Sequence, residues 1–199
     1  MRVKMLIFFG KSIINKGFLI VLCFASIQDK AGLMWFGTYD GVNCYDGKGI
    51  EVFRSDFSMK KTLSNNVIHS IQQADSSCLW ITTHLGVNRF SQDSRQVVGY
   101  YDFTGDYYLH SNPKGDTWVV SDEGIFYYNT YHKKFVHLKN IETPVENMDQ
   151  RAFVTDDGVL WTFPRNTGSL IQCSLDGFDR DTLSVHPTVS SSDFMQTYR

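Results

Sequence analysis

The sequence predicts an all-β chain assembled from repeated four-stranded units. Three observations predict it. Short β-rich runs are separated by Gly and Asp, which argues strands and hairpins. Four tryptophans, Trp35, Trp80, Trp118 and Trp161, follow one another at intervals of 45, 38 and 43 residues. Periods of this size mark repeat arrays. Glycines hold fixed offsets from them: Gly32, Gly115 and Gly158 lie three residues before their Trp, and Gly41, Gly86 and Gly124 six residues after.

The elements follow in order. In Ile27 to Arg54, a polar turn (Asp29 to Gly32) leads into the apolar run Leu33 to Phe36. A second turn (Thr38 to Gly41) leads into Val42 to Tyr45, and a third (Asp46 to Gly49) into Ile50 to Phe53. The second repeat places strands at Val67 to Gln72, Cys78 to Thr82, Val87 to Phe90 and Val97 to Tyr101. The third places them at Thr117 to Val120, Ile125 to Tyr128 and Phe135 to Leu138. In the fourth, Gly168 comes one residue late and Pro164 interrupts the turn. Each glycine permits a tight turn, and each Trp supplies a large apolar body between neighbouring sheets. One unit cannot bury both of its faces, so units stack; radial stacking yields a partial β-propeller of about four four-stranded blades. The repeats span about residues 26–56, 63–101, 107–138 and 151–185 within a domain of residues 26–199.

Composition bounds the partners. Of 199 residues, 42% are hydrophobic, 15% aromatic and 20% charged, which suits a globular core. The net charge is -2 and no basic stripe occurs, which argues against nucleic acid. Cys23, Cys44, Cys78 and Cys173 form no C-x-x-C pair and read as small apolar packing residues.

Residues 1–25 have two readings. Arg2 and Lys4 precede an apolar core that ends in Ala25 and Ser26, the layout of a secretory signal peptide, which would place the chain in the periplasm. Alternatively the segment is mis-assigned and a strand begins within it. Cys23 to Gln28 lines up with Val67 to Gln72 through a shared Ser-Ile-Gln, at nearly the same distance before each Trp.

The stretches Ile27 to Gly47 and Leu63 to Phe90 resemble the two-component-regulator propeller repeat. That motif runs as apolar strand, Gln-Asp-x-x-Gly, apolar-Trp-apolar-Gly-Thr, two residues, Gly-apolar-Asn-x-aromatic. Residues 27–56 match it strongly and 63–90 well, although the latter carry Asp75-Ser76-Ser77-Cys78 and Thr82-Thr83 at the variable points. Residues 110–138 match weakly and 153–175 marginally. The resemblance implies the periplasmic sensor region of hybrid two-component systems of gut Bacteroidetes, many of which detect oligosaccharides. Against that family the chain reads as a fragment lacking the membrane and kinase parts.

No nucleophile triad, metal cluster or phosphate loop stands out, so no catalytic residue, metal or cofactor is expected. His69 reads as a satisfied core residue of an inner strand. The expected ligand face gathers the turns between second and third strands: Tyr39 and Asp40, Thr83 and His84, Asp122 and Glu123, Arg165 and Asn166. Aromatic platforms and planar polar groups suit sugar rings. The expected partners are an oligosaccharide, a second copy, or the remaining blades of a larger receptor. A self-associating interaction module is the alternative, and a carbohydrate-active lyase or hydrolase the third reading.

Overall fold

The computed structural model describes residues 23–121, 123–137, 148–164, 169–175 and 183–190. The chain divides into two compact units, residues 1–104 and 105–199. In the first, β1 (Cys23–Gln28), β2 (Met34–Thr38), β3 (Gly41–Tyr45) and β4 (Ile50–Phe53) form one antiparallel meander. β5 (Ile68–Gln73), β6 (Cys78–Thr83), β7 (Gly86–Ser91) and β8 (Gln96–Tyr101) form another. The second unit repeats the plan with β9 (Tyr107–Ser111), β10 (Thr117–Ser121), β11 (Gly124–Asn129) and β12 (Lys134–His137). Its other sheet holds β13 (Met148–Val154), β14 (Leu160–Pro164), β15 (Ser169–Leu175) and β16 (Leu183–Ser190). The expected strands agree to within one or two residues. Residues 1–22, which carry most of the signal-like segment, lie outside the described residues; Cys23 to Gln28 is strand.

The first three repeats close their second hairpin with a hydroxyl at the same position. Thr38 Oγ1 donates to the Gly41 carbonyl at 2.8 Å and accepts from the Asp40 amide at 3.0 Å. Thr83 does the same with Gly86 and the Leu85 amide, and Ser121 with Gly124 and the Glu123 amide. Gly41, Gly86 and Gly124 take φ of 100°, 117° and 130°, the positive values expected of them.

In the first repeat, the Asp that opens the preceding turn ties its own sheet to the next. Asp29 Oδ1 accepts the amides of Ala31 and Leu33, and its Oδ2 accepts Trp35 Nε1 at 2.8 Å and Gln92 Nε2 of the next sheet at 2.7 Å. Asp75 holds the amides of Ser77 and Cys78 and pairs with Arg89. Burial pushes the Asp75 carboxyl up, but these donors outweigh it and hold the group below the usual carboxylate range. The Leu63-Ser64-Asn65-Asn66 phrase is the strap between the two sheets. Asn66 accepts the Ser55 amide through its side chain and the Gly41 amide through its carbonyl. Ser64 meets Thr83 and the buried Asn88, whose side chain also reaches the Ile81 carbonyl.

Between the two sheets of the first unit, Trp35, Val42, Cys44, Ile68, Ile71, Leu79, Ile81 and Phe90 form one buried cluster. Trp35 stacks on Phe53 at 5.9 Å, meets Phe90 edge-on at 5.7 Å, and carries Arg95 over its ring at 5.2 Å. A Cβ on Gly37 would stand 2.6 Å from Ile68 Cγ2, so the Gly of the Gly-Thr pair lets β2 approach β5. Cys23, Cys44 and Cys78 are buried free thiols, raised by that burial, as packing residues should be.

The shared Ser-Ile-Gln misaligns the two inner strands by one residue. Ile27 faces Trp35 and Gln72 faces Trp80, so Ile27 is equivalent to Gln72 rather than to Ile71. Pairing to the Trp strand, not the local triplet, sets the register, because a one-residue slip exchanges the two faces.

In the second unit, His110 on β9 encloses its Nε2 with no hydrogen-bond partner among the described residues. Desolvation lowers its pKa from 6.5 to about 4. Between those values the unfolded chain binds more protons than the folded one, so stability rises with pH. His110 should cost nothing above pH 6.5 and up to about 3 kcal/mol as the pH falls to about 4. Urea titrations at pH 7 and 4.5 of the wild type and His110→Phe test this. An unchanged pH dependence in the variant would assign the acid sensitivity to other groups.

Candidate functional site

The site begins with a β-bulge repeated in both sheets of the first unit. In β1 the register shifts between Cys23 and Ala25, at Phe24; in β5 it shifts between Ile68 and Ser70, at His69. A bulge re-aims the extra side chain and bends its strand. Both side chains are thereby turned outward: Phe24 is 45% exposed and His69 is exposed. This corrects the expectation that His69 is a core residue. The strand assignment is right, but the bulge breaks the alternation that would have buried it.

Each bulged residue meets the first residue of its own sheet's second hairpin turn. Phe24 packs edge-on against Tyr39, with centroids 4.4 Å apart and planes at 81°. His69 packs edge-on against His84 at 5.8 Å and 83°. Phe24, Tyr39, Val67, Ile68 and His69 line an open pocket of about 260 Å3. The strap holds the two sides in place: the Gly41 amide bonds the Asn66 carbonyl at 2.8 Å, and the His84 amide bonds the Val67 carbonyl at 3.2 Å.

Of the residues expected at a ligand face, Tyr39 lines this pocket and His84 adjoins it through His69. Thr83 is buried and serves the turn. Asp40 is engaged by Arg54 through two bonds, at 2.9 and 2.6 Å, and that guanidinium holds its carboxyl low. Glu123 is exposed on the second unit, its amide bonded to Ser121. Asp122, Arg165 and Asn166 lie outside the described residues. Phe24 and His69 were missed. Counting from the Trp would have found them, since each lies eleven residues before its Trp while its turn partner lies four after. β9 pairs with β10 residue for residue, so the third sheet lacks the bulge.

The pocket sets the rings of Phe24 and Tyr39 beside Val67, Ile68 and the imidazole of His69. Among the described residues no three His, Cys, Asp or Glu side chains gather as a metal site.

No family model and no curated protein matches the chain. Solved structures do. The extracellular domain of a hybrid two-component system from B. thetaiotaomicron superposes with a TM-score of 0.63 at 24% identity, over 84% of this chain and 24% of that one. The extracellular domain of a one-component system from the same organism gives 0.65 at 16% identity, over 90% and 26%. The chain is a partial β-propeller. Virginiamycin B lyase from Staphylococcus aureus shares this fold, with a TM-score of 0.60 at 14% identity over 89% of this chain and 58% of that one. The propeller described here spans about a quarter of the length of the two Bacteroides domains.

Proposed function

We propose that this propeller is the ligand-sensing part of an extracytoplasmic receptor of the two-component type, that it binds an oligosaccharide, and that it catalyses no reaction on it. The observation that carries the reading is the pocket in which neighbouring sheets bring Phe24, Tyr39 and His69 together. Aromatic rings suit the apolar face of a sugar, and imidazole nitrogens suit its hydroxyls. The likeness to extracellular domains of regulatory systems supports the periplasm as its place and sensing as its role.

Calorimetric titration with a panel of neutral and acidic oligosaccharides tests it. One class should bind, and Tyr39→Ala, at a 57% exposed position, should weaken that binding about tenfold without unfolding the chain. Mass analysis of the ligand after incubation should return it intact; shortened or unsaturated products would favour the lyase reading. A second reading, self-association, is favoured by Val98 and Tyr100, which are 53% and 51% exposed on the outer strand β8. A dimer in sedimentation that dissociates in Val98→Lys would favour it.

A further inference from the structure

The connection from β4 to β5 carries a feature that the pocket does not use. Phe57 is 89% exposed and Met59 63% exposed, within a run whose residues 56–61 are all exposed. The loop is not a slack excursion. Thr62 Oγ1 donates to the Asp56 carbonyl and accepts the Asp56 amide, both at 3.1 Å, which closes the loop at its base. Asp56 caps the Ser58 amide and hydroxyl, and its carbonyl accepts the Met59 amide at 3.1 Å. At the far end the Lys61 carbonyl accepts the Val97 amide at 2.8 Å. Phe57 and Met59 are therefore held out in water by a knuckle that anchors both of its ends. The next two residues are Lys60 and Lys61, both exposed. The loop's carboxylate, Asp56, is itself exposed and accepts the Ser58 amide and hydroxyl.

We propose that this knuckle is a lipid-contact prong: Phe57 and Met59 enter the interfacial layer of a bilayer while Lys60 and Lys61 meet anionic headgroups. The charge pattern matches such a surface, since apolar tips beside lysines are what interfacial binding requires. The knuckle by itself falls short of the area of a specific protein interface. Two such side chains expose on the order of 300 Å2, well below the roughly 1,000 Å2 of a specific protein interface. The topology adds to the case. The β4–β5 connection leaves from the same end of the sheets as the β2–β3 and β6–β7 turns, where Phe24, Tyr39 and Leu85 are also 41–57% exposed.

Co-sedimentation of the 199-residue chain with vesicles of phosphatidylcholine, with and without one-third phosphatidylglycerol, tests the proposal. The wild type should bind the anionic vesicles, and Phe57→Ser with Met59→Ser should lower the binding constant about tenfold. Lys60→Ala with Lys61→Ala should lower it on anionic vesicles alone, and added salt should do the same. All four positions are exposed, so the variants should keep the wild-type unfolding midpoint. Full binding by the Phe57/Met59 double variant would assign the interaction to the apolar N-terminal stretch and overturn the proposal. Absence of wild-type binding would overturn it as well and leave the prong to a protein partner.

Discussion

Trp35→Ala should lower the unfolding free energy by about 4–5 kcal/mol, a third or more of what a typical domain has. The ring is fully buried among Phe53, Phe90 and Arg95 at the centre of the cluster joining two sheets. Its removal leaves a cavity that neither sheet can close, because Gly37 and Ile68 already hold the backbones at their nearest approach. It also takes one donor from the buried Asp29, leaving Ala31, Leu33 and Gln92. Trp35→Phe separates the two effects. It keeps most of the volume and loses the N–H, so it should cost about 1–3 kcal/mol. Urea unfolding followed by far-ultraviolet circular dichroism measures both. Equal costs for Phe and Ala would mean that the hydrogen bond to Asp29, rather than the packed volume, joins the sheets.

Gly86→Ala should cost about 2–5 kcal/mol, although it adds a single methyl group. Gly86 has φ of 117°, where a Cβ is strained, and that Cβ would stand 2.4 Å from the Tyr101 carbonyl oxygen. The obstacle is backbone, so no rotamer change relieves it. Gly47→Ala is the control. Its φ of 89° imposes the strain, but nothing lies within 4 Å of the added atom. About 1 kcal/mol is expected there, and the difference between the two unfolding free energies isolates the clash. A Gly86→Ala chain as stable as Gly47→Ala would mean that β8 can move away from the β6–β7 turn.

The two substitutions probe the part of the fold that the repeat made legible. Trp spacing and glycine offsets are local demands: a positive φ, a large ring, an Asp whose side chain caps the next turn. They can be read along the chain because the atoms that answer them lie within a few residues. Thr38, Thr83 and Ser121 belong to the same class, each closing a turn with a partner three residues away.

The site was legible only in half. Tyr39 and His84 could be placed because a turn residue is exposed wherever the strands end. Asp40 could not be judged, because its partner Arg54 lies fourteen residues on, and nothing local announces a bidentate pair. Phe24 and His69 were hidden by their neighbours. Alternation along an inner strand predicts a buried His69, and the Ser-Ile-Gln triplet pairs Phe24 with Ile68 instead of with His69.

Strand number, turn chemistry and the all-β class thus follow from the chain itself, because short-range sterics and hydrogen bonding dictate them. The choice of pocket-lining residues was made by tertiary structure. A bulge forms where the inner strand must stay in register with the Trp strand at one end and with the hairpin turn at the other. The residue left over is pushed out of the ladder, and that displacement brings Phe24 and His69 to Tyr39 and His84.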